Sequence, residues 1–141
     1  MIAPKRLKLL LDELNFERRI LLLSACYSGI FVPELADDNS VIVTAASASR
    51  PSFGCTPGND WTFFGDALVN NALRKSQPMS KAADEAIGLI ALWEAKLGLQ
   101  ASNPQVSIGD DTAKWLAALE SQMPTTDTPR VGRPAIETSL D

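Results

Sequence analysis

Histidine is absent from the 141 residues of this chain. That absence excludes Ser-His and Cys-His catalysis by groups of this sequence alone, and it removes the commonest metal ligand. No metal site and no organic cofactor is implied by what remains. No apolar run approaches the roughly 20 residues that span a bilayer. Residues 1–6 lack the apolar stretch and cleavage site of a signal peptide. Basic excess is missing too: 13 Lys and Arg against 17 Asp and Glu leave a net charge of −4. Such a balance gives no basic surface for nucleic acid or an anionic membrane. There are two cysteines, Cys26 and Cys55, and a chain of this size does not depend on one disulfide. Neither compartment nor redox state follows from that count.

What is present is ordinary globular material, 45% hydrophobic and 21% charged, in a length that suits one domain with one core. Residues 3–14 read as a helix, with Pro4 in its first turn and Leu7, Leu10, Leu11 and Leu14 on one face. Residues 19–25 are apolar in consecutive positions, as in a parallel strand covered on both faces. A turn or short helix follows over 28–35, a turn cluster at Asp37-Asp38-Asn39, and a second buried strand over 41–45. Residues 47–61 read as a long loop. Thr62 predicts a cap for a helix running to about Lys75, with Phe64, Leu68 and Ala72 on one side. Ser80 predicts another cap, for a helix ending near Gly98 with the stripe Ala86, Ile90, Trp93 and Leu97. A third strand is expected over 105–108, then a helix from Asp110 or Asp111 carrying Trp115, Leu116 and Leu119. From about Gln122 the chain loses periodicity, which divides it into residues 1–121 and a disordered tail, 122–141.

Helices alternating with apolar strands indicate an α/β domain with a parallel sheet between helices. Three strands are few for such a sheet. A buried-type strand at 19–25 without a preceding partner leaves an exposed apolar edge. The expectation is therefore a domain incomplete at its amino end, with self-association through the strand at 19–25.

Cys26 stands at the carboxyl end of that strand, where α/β folds collect function. The run Leu23-Ser24-Ala25-Cys26-Tyr27-Ser28-Gly29 surrounds it with small residues that keep the approach open. Two readings are available from position alone. Cys26 is a nucleophile, or it is a buried structural thiol of the kind common in cores. From position alone, Asp66 is a first-turn carboxylate complementing the helix dipole. Cys55 is either a packed small hydrophobe or a neighbour of Cys26 able to pair with it. Trp61-Thr62-Phe63-Phe64, Trp93 and Trp115 read as core.

Four segments occur in order: Ser24-Ala25-Cys26-Tyr27-Ser28-Gly29, Val43-Thr44-Ala45-Ala46, Ser52-Phe53-Gly54-Cys55 and Thr62-Phe63-Phe64-Gly65-Asp66. Together they resemble the legumain-like cysteine peptidases, the group of the asparaginyl endopeptidases and the glycosylphosphatidylinositol transamidase catalytic subunit, and in particular their bacterial branch. The resemblance covers roughly residues 3–120. It implies a three-layer α/β/α caspase-like domain with a mostly parallel sheet. It implies peptide-bond hydrolysis through an acyl-enzyme on Cys26, with Ser52 and Asp66 near a peptide or protein substrate. The family's catalytic histidine, on an earlier strand end, has no counterpart here. Ser24 stands where animal legumains carry an acidic residue, and Pro51 where a serine neighbours the counterpart of Ser52. The resemblance therefore carries no preference for asparagine.

Without an imidazole, a thiol of ordinary pKa about 8.5 is a few per cent thiolate at neutral pH. General acid–base help is worth about 10²–10⁴-fold. Turnover by this chain alone is therefore not expected. Three readings follow: part of a legumain-like endopeptidase, a non-catalytic remnant acting as an interaction module, and an unrelated α/β binding module.

Overall fold

The computed structural model describes residues 2–136. Helix α1 (Pro4–Glu13) leads to strand β1 (Arg19–Leu23). A 3₁₀ turn (Ser28–Phe31) runs into the single-turn helix α2 (Val32–Leu35), and strand β2 (Ser40–Thr44) follows. After a long loop the chain forms a π-helical segment (Gly65–Asn71) and a 3₁₀ turn (Ala72–Arg74). Helix α3 (Met79–Lys96), strand β3 (Gln105–Ile108) and helix α4 (Ala113–Glu120) complete the order. Each element expected from the sequence is present.

Strand β2 explains why the rest assembles around it. Its sequence Ser-Val-Ile-Val-Thr is rich in β-branched residues, which suit a pleated surface packed on both sides. All five of its residues are buried. Val41 and Val43, continued by Ala45, face a cluster built from Phe63, Phe64, Ala67 and Leu68 of the π-helical region and Ala82, Ala83, Ala86 and Ile90 of α3. Ile42, on the opposite pleat, is fully buried as well. Strand β1 is less covered, with Leu22 exposed. It pairs with β2 and, among the described residues, with no strand on its other edge.

The sheet corrects the expected architecture. β1 runs parallel to β2, with Leu21 opposite Ile42. β3 runs antiparallel to β2, with Val106 opposite Val43. This is a small mixed α/β domain on a three-stranded sheet, not a three-layer caspase-like domain with a mostly parallel one. The reason lies in the connection. A parallel partner needs one helical pass to carry the chain back to the strand's starting end. Here two passes, residues 63–74 and α3, lie between β2 and β3. The second undoes the first, so the chain re-enters the sheet at the end it left. Ser47 N–H donates to the Ser102 carbonyl at 2.9 Å, and Gln105 N–H to Thr44 Oγ1 at 3.2 Å, both beside the carboxyl end of β2.

Local corrections also have physical causes. Ser80 does not cap α3; the helix starts at Met79, two residues earlier than such a cap requires, and Glu120 Oε1 of α4 accepts the Met79 N–H at 2.8 Å. Leu97, assigned to the α3 stripe, is its carboxyl cap and is exposed. Gly98, at φ +65°, ends the helix there in a conformation that suits glycine. Leu14 and Leu119 are exposed as well. Thr62 does cap its helical segment, accepting the Gly65 N–H on Oγ1 at 3.0 Å. Residues 122–136, expected as disordered, carry neither helix nor strand. Their described course lies against residues 58–76, and the remaining tail residues, 137–141, fall outside the described residues. No helix among the described residues is long and apolar enough to cross a membrane.

Candidate functional site

Three residues after β1, the Cys26 side chain is exposed, so the buried-thiol reading does not hold. Its setting is built by two loops locked together. Tyr27 adopts a left-handed conformation at φ 58°, which turns the chain sharply beyond the thiol. Tyr27 N–H donates to the Arg50 carbonyl at 2.9 Å. Ser28, fully buried, accepts the Ala46 N–H on its Oγ at 3.2 Å. Gly29 lies so close to the second loop that a Cβ there would meet Ala48 N at 2.5 Å. Only glycine fits that approach. The small residues after Cys26 therefore serve loop packing as well as access.

The second loop brings Ser52 to the thiol. Ser52 N–H donates to Cys26 Sγ at 3.3 Å. The protonated thiol donates to the Ser52 carbonyl at 3.4 Å, and Ser52 Oγ lies 3.6 Å from the sulfur. The Ser52 main-chain N–H, followed by its side chain, holds the Cys26 pKa below the usual thiol value. The physical cause is hydrogen bonding to the thiolate, which favours the charged form. Cys26 and Ser52, singled out separately in the sequence, thus form one contact pair. Cys55 is a free, exposed thiol, and no disulfide joins it to Cys26. Ser24 Oγ meets Thr62 Oγ1 at 3.2 Å, tying the end of β1 to the start of the π-helical region.

Asp66 is not brought to the thiol. Its side chain is 1% exposed. Oδ1 accepts from Asn70 Nδ2 at 2.8 Å and Asn71 Nδ2 at 3.3 Å. Oδ2 accepts the Ala135 N–H at 2.7 Å. A carboxylate with three donors, one supplied by the tail, is satisfied internally. Neither the dipole-facing nor the ligand-facing reading describes it in this conformation. The π-helical winding matters here, because its wider turn sets Asn70 and Asn71 together over the Asp66 carboxylate; such segments concentrate at functional sites.

Sequence reasoning missed Asn70, Asn71, Arg74 and Trp61 as a polar set. The available signal was Asp66 followed by Asn70 and Arg74 at i+4 and i+8, a polar line beside the apolar line Ala67 and Leu68. Three clefts border this region, along 70–78 and the tail, and Cys26 lines none of them. No cluster of Cys, Asp and Glu among the described residues has the arrangement of a metal site.

The family model described as the peptidase C13 family matches residues 1–95. No curated protein and no solved structure matches the chain.

Proposed function

Because this chain belongs to the peptidase C13 family, we propose that Cys26 is the nucleophile of a cysteine-type endopeptidase site acting on a peptide or protein substrate. The observation that carries the reading is an exposed thiol at a strand end with Ser52 N–H donating to its sulfur. In the proposed reaction the Cys26 thiolate attacks the scissile carbonyl carbon, and a C–S bond forms. The C–N bond then breaks, and the amine leaves with a proton. Water hydrolyses the resulting thioester, returning the thiol and a carboxylic acid. Ser52, in contact with the sulfur, lies where it borders both the thiolate and an incoming acyl group. Asp66 reaches a substrate side chain only in a conformation in which its present donors are released.

The chain contains no histidine, and neither Ser52 nor Asp66 is a base of the right kind at the sulfur. The lowered thiol pKa favours attack and leaves the departing amine without a general acid. The proposal is therefore acylation by this chain, with efficient turnover only when an imidazole comes from another segment or chain. Residues 1–121 form the peptidase-like portion in this reading.

The test is labelling by a peptide carrying a thiol-directed electrophile. One adduct on Cys26, lost in Cys26→Ala and kept in Cys55→Ala, is the expected result. Equal labelling of both thiols, or none, would overturn the reading.

A second reading, a non-catalytic interaction module, is favoured by the open edge of β1. Strand addition beside residues 19–25, from a second copy, would satisfy that edge. Sedimentation of the full chain, with Leu22→Lys as the edge-breaking variant, separates a self-associating chain from a monomer.

A further inference from the structure

The tail residues 127–136 meet the domain in a pattern that resembles peptide recognition more than core packing. Val131 is held by both of its main-chain groups. Its N–H donates to Asn70 Oδ1 at 2.9 Å, and its carbonyl accepts from Trp61 Nε1 at 2.9 Å. Four residues on, the Ala135 N–H reaches Asp66 Oδ2. The Arg133 N–H donates to Asp60 Oδ2 at 2.6 Å, and its guanidinium pairs with the same carboxylate. Arg130 Nη1 donates to Asn71 Oδ1 at 3.0 Å. Upstream, Thr128 N–H donates to the Arg74 carbonyl, and the Arg74 guanidinium donates to the Pro129 carbonyl.

Two of the receiving side chains, Asp66 and Asn70, are 1% exposed. Asp66 Oδ2 has Ala135 as its partner among the described residues. Removal of the tail takes the donor from that oxygen and the acceptor from Trp61 Nε1. Another extended main chain of the same spacing restores both. By contrast the tail itself is almost wholly exposed from 121 to 134, with Ile136 its one buried apolar residue among those described. Little apolar area holds it in place, so detachment is governed by those polar contacts.

From this geometry we propose that the groove lined by Asp60, Trp61, Asp66, Asn70, Asn71 and Arg74 is a site for an extended basic peptide. The chain's own segment 127–136 is its resident occupant, exchangeable with the same segment of a second copy. The proposal does not rest on Cys26 being a nucleophile. Three features set the sequence that fits. An arginine faces Asp60, and an apolar residue three positions later enters the core. Between Val131 and Arg133 the groove takes glycine: Gly132 sits at φ +70°, and a Cβ there would meet Trp61 Nε1 at 3.1 Å and Asp60 Cβ at 3.2 Å.

The experiment uses the full chain and a fluorescent peptide of residues 127–136. Gly132→Val with Ala135→Pro loosens the resident segment, since the proline removes the N–H that Asp66 accepts and the valine does not fit at φ +70°. This double variant is expected to bind the peptide saturably and at least about tenfold more tightly than the unaltered chain, whose groove is filled at high effective concentration. Adding Trp61→Phe, which removes the N–H donor and keeps the ring, should weaken that binding, and so should Arg133→Ala in the peptide. A folded double variant that ignores the peptide would overturn the proposal. Amide exchange in the unaltered chain is the independent measurement: protection at Val131 and Ala135 supports it, and exchange at both at free-chain rates overturns it.

Discussion

Cys26 and Asp66 lie at two ends of one short stretch of contacts, and they could hardly be treated more differently. The thiol is open to solvent, hydrogen-bonded to Ser52, and held by loops that close behind it. The carboxylate is sealed, with donors on both oxygens, and a strap from the far end of the chain lies over it. Ser24 and Thr62 join the two corners through their hydroxyls. Resemblance assigns both residues to substrate; geometry gives one of them a stabilising task. A residue can keep its place in a motif while its surroundings decide whether it is available.

The comparison is broken most directly at Asp66. Asp66→Ala leaves the Asn70, Asn71 and Ala135 N–H groups facing an apolar methyl, and a loss of about 2–4 kcal/mol is expected in denaturant unfolding. A loss below about 1 kcal/mol would mean that the carboxylate is not a structural anchor. Gly29→Ala places a methyl against the Ala48 main chain and should cost about 1–3 kcal/mol, measured the same way; a neutral result would show the two loops to be loosely joined. Thr62→Ala removes the cap on Gly65 and the link to Ser24, and about 1 kcal/mol is expected.

The smallest stability change belongs to Cys26→Ala, within about 0.5 kcal/mol, because the side chain is exposed. Its sharper signature is pH. Ser52 lowers the folded-state pKa of the thiol, so alkylation of Cys26 should reach half-maximal rate below the ordinary value of about 8.5. Folding is then favoured by thiolate formation. The contribution is present in full above the unfolded-state pKa and disappears as pH falls through the lowered folded value. An alkylation midpoint at or above the ordinary value would remove Ser52 from the site.

Much of this was legible in the residues. The consecutive apolar runs of β1 and β2 and the cap at Thr62 follow from local pattern, whereas the exposure of the thiol after Leu23 does not, since position alone fits a buried thiol equally. The direction of β3 was also readable, since two helical segments precede it, but attention to strand type concealed the parity of the connection. The contact of Ser52 with Cys26 joins residues 26 positions apart, and no periodicity reports such a meeting. The Asp66 environment was hidden for another reason. Its partners include main-chain N–H groups of a segment without periodicity, and main-chain groups leave no mark in a sequence.

The close approach at Gly29 has one more consequence. The thiol is carried on a loop pinned to its neighbour by main-chain contacts and by that approach. In a hydrolase so made, the deformation needed for attack falls on the incoming polypeptide. On the proposed function, looped stretches would therefore reach the thiol more readily than helices or paired strands.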